Sequence, residues 1–497
     1  MSGKGRLFSW PAIPLYFFAA LLLFPARGGA QENLYWETSG VFSGIPGKFP
    51  VSASNGDFSV VAWQESSPIP GGGEIRVSLA AGSRDWRIYR SVAGPYRYTG
   101  TEPAILSIAL DRAGRIIIVA AASPGKCEIL VSEDRGQSFS RRLIDGAGSS
   151  VAPRIAIRSG GAYLIFITGG TEQSLSIYYA LSDDALNWGP FSRFVENPAL
   201  PLSFLPAHAA LGSSEFVVFQ SLTAEKDSPP SFQLFIKRSD DGGRTWGPSR
   251  LLTDFQEQGR DAPLYDNQRP FLIPLGDRLF LAWERRYQNG SPQVYGLELG
   301  PGGNPAGLPQ RINREEAYCN DPVAFLHRGE PMVSWFDNRD GGNRAYLGRY
   351  NGVFWLNQDL SGPAEDLAFV RPAAAEELSF FYQSNSRQGS HIRHIIPDRS
   401  VPIPAIRALN FRPGFSSQGD RVRLSWTEVR DPAGIAGYSW LWSREAGEEP
   451  ERKLQGQNSS AQTLEFQAED EGSWYFSLMA QDRAGNWSGI DRVEYIR

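Results

Sequence analysis

The chain has 497 residues, enough for two or more domains of ordinary size. Hydrophobic residues make up 41% and charged residues 21%, which excludes a disordered chain, and a net charge of −5 gives no basis for binding nucleic acid or an anionic membrane. The 52 Gly, 35 Pro and 12% aromatic content suit many short strands joined by tight turns, and only two Cys and four His exclude chemistry built on clusters of those residues.

Residues 1–30 read as a secretory signal. Lys4 and Arg6 form a basic start, an apolar run follows to Phe24, and Gly28, Gly29 and Ala30 supply the small residues a signal peptidase needs. Cleavage is expected, leaving a mature chain with no transmembrane segment that is secreted or held in the periplasm or cell envelope. Cys127 and Cys319 are expected to be free, buried thiols.

A repeat governs the next 366 or so residues, 31–396. A Pro opens an apolar strand, a Gly-containing turn follows, and a second strand ends in an aromatic residue. Five copies open at Pro50, Pro153, Pro206, Pro270 and Pro322 and carry Trp63, Phe166, Phe219, Trp283 and Trp335 thirteen residues later. Looser copies open at Pro103 and Pro372. Neighbouring repeat prolines stand 50 to 64 residues apart, room for the four strands of one β-propeller blade. A single blade cannot bury both of its faces, and stacking blades around an axis buries them all. The spacing predicts an all-β chain with seven blades, six plus an irregular segment being the alternative. Each repeat should form its own sheet. The seventh copy is short, and residues 33–38 are placed to supply its missing outer strand.

Near the third strand of several repeats a second pattern recurs. Ser132, Asp134, Gly136 and Phe139 share their spacing with Ser239, Asp241, Gly243 and Trp246, while Ser182, Asp184 and Trp188 form a shorter version without the Gly. The Asp can accept backbone N–H bonds within a tight turn, Gly permits a positive φ, and the aromatic packs between sheets. These residues resemble the Asp-box (BNR) repeats of sialidases and sialidase-like propellers. The resemblance implies that the boxes are structural and lie on the outer part of the blades.

Chemistry in a propeller gathers at the mouth of the axis, where the innermost strands begin. Lys48, Glu102, Arg154, Arg269, Asp321 and Arg371 stand there and are the candidate ligand-binding residues, since Arg can grip a carboxylate bidentately. The sialidase resemblance implies an arginine triad for a sugar carboxylate, one member lying in a motif that here reads Gly47-Lys48-Phe49-Pro50, with Lys in place of Arg. It also implies a Tyr–Glu nucleophile pair and an acid/base Asp. Tyr318 or Tyr265 with Glu284, and Asp321 or Glu102, are the candidate occupants. Trp335, Asp337, Arg339 and Gly341 resemble a W-x-D-x-R-x-G stretch of the same propellers, which can be a ligand loop or an Asx-stabilised corner. Polar residues after the strand aromatic, as in Trp63-Gln64 and Trp283-Glu284, recur from repeat to repeat and read as structural. No cofactor motif and no metal-ligand spacing is present.

Residues 397–404 read as a Pro-rich linker and residues 405–497 as a β-sandwich. Val422 and Leu424 share one strand face; Trp474, Phe476, Leu478 and Ala480 share another. Trp426 with the last two strands resembles the fibronectin type III and related Ig-like modules of bacterial exported proteins, which implies a spacer or adhesion unit. The resulting expectation is an exported, sialidase-like propeller that binds a glycan or an envelope or extracellular protein without turnover. The alternatives are an exo-sialidase-type glycoside hydrolase acting on terminal acidic sugars, and a structural envelope component.

Overall fold

The computed structural model describes residues 34–497 apart from 66–72, 82–85, 87–89, 97–105, 124–125, 146–150, 172–173, 225–228, 254–264, 289, 340, 361–365, 375–377, 388 and 456–462. The expected signal and Glu102 lie outside the described residues. Within them every named element is a β-strand, and no helix is long and apolar enough to cross a membrane.

Up to Pro397 the strands form five antiparallel sheets of four and one of seven. The four-stranded sheets begin at the inner strands Leu106–Leu110, Val151–Ile157, Ser203–Leu211, Tyr265–Leu275 and Cys319–His327. Each inner strand touches the next in chain order, and Asp366–Ala374 touches Trp36–Ser54, which closes a ring: the fold is a β-propeller. Second strands are wedged between neighbouring sheets and read as continuous apolar runs. In Ile116–Ser123, for example, Ile116 and Ile118 pack toward the preceding sheet and Ile117 and Val119 toward the following one.

The seven-stranded sheet departs from the expectation of one sheet per repeat. Trp36–Ser54 is one continuous strand that serves two repeats. Its first part pairs with Gly389–Pro397 (Trp36↔Pro397, Glu37↔Ile396), so the N-terminal segment does supply the outer strand of the last repeat. Its second part, from Gly47, pairs with Phe58–Glu65 as the inner strand of the first repeat. No turn separates the two functions; register breaks around Val41 and between Lys48 and Val51 let the strand bend from one sheet into the next.

One repeat aromatic is also misplaced by spacing alone. Trp63, Phe219, Trp283 and Trp335 all pack against the preceding repeat, whereas Phe166 packs against the following one. The turn joining Ile157 to Tyr163 is one residue longer, so Phe166 pairs with Arg154 where Ala282 pairs with Phe271. A one-residue slip turns the side chain to the other face, and Ile167 takes the place facing the preceding sheet.

The Asp-containing turns lie between the third and fourth strands. Asp241 accepts from Thr245 N at 2.9 Å, Thr245 Oγ1 at 2.6 Å and Ser239 Oγ at 2.7 Å, while Gly243 N donates to Ser239 Oγ at 2.8 Å. The same pattern holds at Asp134 with Ser132 and Ser138. These bonds hold Asp134 and Asp241 down to about 2, the Ser138 and Thr245 hydroxyls being the largest cause. Gly136 has φ 83°, and a Cβ there would stand 2.5 Å from Leu79 of the neighbouring sheet, so the glycine is required both by its backbone and by its neighbour.

Beyond Pro397, which ends its strand, residues 398–405 carry no strand. Two three-stranded sheets follow. Ile406–Ala408, Arg421–Trp426 and Thr463–Gln467 form one; Ile435–Ser443, Ser473–Asp482 and Asp491–Ile496 form the other. Val422, Leu424, Trp426, Tyr438, Phe476, Leu478, Ala480 and Tyr495 make one core, with Trp474 half-buried at its edge. Cys127 and Cys319 are both buried, and no disulfide joins them.

Candidate functional site

Inner strands carry a bulge of two residues at the mouth of the axis. In five repeats the first bulged residue stands immediately before the repeat Pro and has a left-handed backbone: Phe49 (φ 54°), Ala152 (55°), Leu205 (53°), Arg269 (52°) and Asp321 (50°). Such a conformation costs a side-chain-bearing residue about 1–2 kcal/mol and persists where neighbours hold it. The neighbour is visible in three cases. Phe49 N donates to Gln383 Oε1 (3.0 Å), Arg269 N to Gln220 Oε1 (2.8 Å) and Asp321 N to Glu284 Oε2 (3.4 Å), each acceptor belonging to the preceding repeat. Gln220, Glu284 and Gln383 occupy one register position, opposite the residue before their own bulge. Sequence reading took the polar residue after the aromatic as structural and did not find the bond it makes.

Repeat seven places its bulge differently. Register breaks between Ala368 and Arg371, so Phe369 and Val370 form the bulge and Arg371 follows it. Arg371 is therefore not the counterpart of Arg269, as its position before Pro372 implied. It matches Arg154, which also stands one residue past a bulge.

Those two arginines are coupled by charge across the ring. Arg371 Nη1 donates to Asp321 Oδ2 at 3.0 Å, both side chains being about one-fifth exposed (19% and 20%). Burial first, then the charge of Arg371, lowers the Arg154 guanidinium to about 10, Asp321 acting in the opposite sense; it stays protonated at neutral pH. Repeats three and seven are not neighbours around the ring, so Arg154 feels Arg371 and Asp321 through the axis. Arg154 donates to the carbonyl of Pro153, and among the described residues no carboxylate pairs with it.

Beside this set lies a second one. Glu284 is fully buried, and its Oε1 accepts from Arg286 Nε (2.9 Å) and Nη2 (2.7 Å). Arg269 Nη1 lies 3.8 Å from Glu284 Oε2. The Arg286 guanidinium also lies over the Tyr318 ring, 5.9 Å from its centroid; burial lowers its pKa, and Glu284 and Tyr318 outweigh that and raise it. Arg286 thus bonds Glu284 and lies over the Tyr318 ring. Tyr265 is buried, with the Arg285 guanidinium 4.0 Å above its ring, and Asn267 receives the Trp283 indole N–H at 2.6 Å. Lys48 stands half-buried next to the Phe49 bulge. The axis therefore collects four arginines (154, 269, 286, 371) and two acids (Glu284, Asp321), a net cationic set.

The Trp335 stretch is a closed corner. Asp337, fully buried, accepts from Arg339 N and Nε through Oδ1 and from Arg339 Nη2, Trp335 Nε1 and Cys319 Sγ through Oδ2. Burial and the Asp337 carboxylate push the Cys319 thiol far up, so it stays protonated. A cavity of about 340 Å³ beneath Arg314, Phe354 and Trp355 lies among fourth strands and includes none of the axis residues.

No family model and no curated protein matches the chain. Solved structures do resemble it. The crystal structure of polysaccharide lyase Uly1 covers 74% of this chain and 93% of its own, at 9% identity and a TM-score of 0.50. The likeness is one of fold. A Hadza microbial sialidase, Hz136, covers 68% of this chain and 76% of its own at 13% identity and TM-score 0.41. An alpha-L-arabinanase of Penicillium chrysogenum, complexed with arabinobiose, covers 59% and 93% at 14% identity and TM-score 0.41.

Proposed function

We propose that the propeller binds an acidic glycan at the mouth of its axis and does not cleave it. The observation that carries the reading is that Arg154 and Arg371 hold matched positions on non-adjacent inner strands and feel each other's charge, with Arg154 lacking a carboxylate partner among the described residues. A desolvated guanidinium beside a second one favours an anion, and a planar carboxylate fits its fork. Lys48, Arg269 and Arg371 complete a cationic rim, with Asp321 holding Arg371 in place. Absence of turnover is supported by three features. Lys48 stands where the sialidase motif has Arg, both Glu284 oxygens are engaged by other groups, and Tyr318 has the Arg286 guanidinium over its ring. Hydrolysis through an oxocarbenium-like transition state needs a free carboxylate beside its nucleophile.

The wider frame is part of the same proposal. Divided at Gly47, the seven-stranded sheet gives two units of four, which with the five others supports seven blades. The pairing order of the C-terminal strands, first-second-fourth against third-fifth-sixth, supports a fibronectin III-like sandwich in residues 405–497. The Ser–Asp–Gly turns are proposed to be Asp boxes, and export through residues 1–30 would bring the chain to extracellular or envelope glycans. An array of sialylated, uronate-bearing and neutral glycans tests the binding reading, with retention confined to the acidic members expected. Release of fluorophore from a fluorogenic sialoside, abolished by Tyr318→Phe, would replace it with the hydrolase.

A further inference from the structure

Asp398, Asp431 and Asp482 converge where the chain passes from the propeller to the C-terminal unit. One carboxylate oxygen of each lies within 4.8 Å of the others. Asp398 follows the last propeller strand, and its N–H donates at 2.7 Å to the carbonyl of Tyr35, just before the N-terminal strand Trp36–Ser54 that pairs with it. Asp431 lies just before Ile435–Ser443, and Asp482 ends Ser473–Asp482. Asp398 is 5% exposed and Asp482 1%. Glu37 stands close by, accepting from Ser400 Oγ at 2.8 Å.

Buried carboxylates are ordinarily neutralised by Arg or Lys, because unpaired charge away from water is costly. Among the described residues no cationic side chain is ion-paired with any of these three, although Arg399, Arg430 and Arg483 adjoin them in sequence. Their hydrogen bonds account for only part of their oxygens. Asn486 N and Nδ2 serve Asp482 (2.7 and 2.8 Å), Ala433 N serves Asp431 Oδ1 (2.9 Å) and Ser400 N serves Asp398 Oδ1 (3.3 Å). Oδ2 of Asp398 and Oδ2 of Asp431 are shut off from solvent and have no hydrogen-bond partner. An orphaned oxygen on so deeply buried a carboxylate, in a residue that shares the cluster, has the character of a ligand atom.

We propose that Asp398, Asp431 and Asp482 form a Ca²⁺ site that clamps the C-terminal unit to the closing strand of the propeller. Oxygens bound to one Ca²⁺ at about 2.4 Å stand at most about 4.8 Å apart, which the cluster satisfies. A set made only of oxygen donors selects a hard cation, and three carboxylates exceed the one or two that Mg²⁺ takes while keeping its waters. The clamp is independent of the glycan reading.

The test uses the full-length protein stripped with EGTA, titrated with CaCl2 by calorimetry and unfolded thermally. One Ca²⁺ per chain is expected, with a melting temperature several degrees higher at about 5 mM CaCl2, above the roughly 0.1–1 mM range of weak calcium modules. MgCl2 should give a smaller shift. Asp431→Asn and Asp482→Asn, each checked for folding by circular dichroism, should lose the calcium response. A wild-type melting temperature indifferent to calcium overturns the site, whatever the variants do. So does a calcium shift that both folded variants retain.

Discussion

Around Asp241, every hydrogen bond to the carboxylate comes from within four residues of it; at the ring axis, Asp321 is bonded by Arg371, fifty positions away. The turn is satisfied by its own sequence and leaves nothing for a ligand to complete. The axis is assembled only when the ring closes, and closure brings like charges within reach of each other: Arg371 is paired with Asp321, and Arg154 has no carboxylate partner among the described residues. Local satisfaction produces stability, whereas charge gathered from distant repeats and left in excess produces a place for an anion. The same contrast separates the Asp337 corner, whose carboxylate is saturated by Arg339 and its neighbours, from Arg154.

The comparison breaks first at Glu284, which links the two modes by stapling a bulge and holding two arginines. Glu284→Ala should destabilise by roughly 2–4 kcal/mol in chemical unfolding, less than a fully buried pair because Arg269 and Arg286 are 38% and 36% exposed. Glu284→Gln should recover at least half of that loss, since Gln220 and Gln383 cap the matching N–H groups. Equal losses in the two variants would show that the staple contributes nothing.

Gly136→Ala should cost about 1–2 kcal/mol through its positive φ alone, with crowding of Leu79 added. A melting temperature unchanged from wild type would contradict the structural role of that turn. Asp241→Asn should cost less, about 0.5–1.5 kcal/mol, because the carboxylate is exposed even though it is well bonded. Its pH dependence has a definite sign. The folded pKa is depressed to about 2, so the stabilisation is present above the ordinary carboxylate value and is lost as pH falls from about 4 toward 2. The difference between wild type and Asp241→Asn should shrink over that window. A difference that grows there would refute the assignment.

Legibility follows the same division. The repeat, its strand order and the Ser–Asp–Gly turns were readable because each rests on residues within one repeat. The seventh repeat was read with a false anchor. Pro372 lies two residues beyond the position other repeat prolines take, and only the register shows that Arg371 matches Arg154. Phe166 keeps the thirteen-residue spacing but not the register, because its turn is one residue longer. The three Asp residues at the domain junction gave no spacing signal at all. They come from a linker, a loop and a strand end, and only folding unites them.

The central claim is most directly tested by the affinity of the full-length protein for sialyllactose and for lactose, measured by calorimetry for wild type and Arg154→Ala, with free sialic acid assayed in parallel. Wild type should prefer sialyllactose by at least about tenfold, roughly 1.4 kcal/mol. Arg154→Ala should lose that preference at unchanged melting temperature, and no sialic acid should be released. Equal affinity for both sugars in wild type, or a preference that survives Arg154→Ala, would contradict the account.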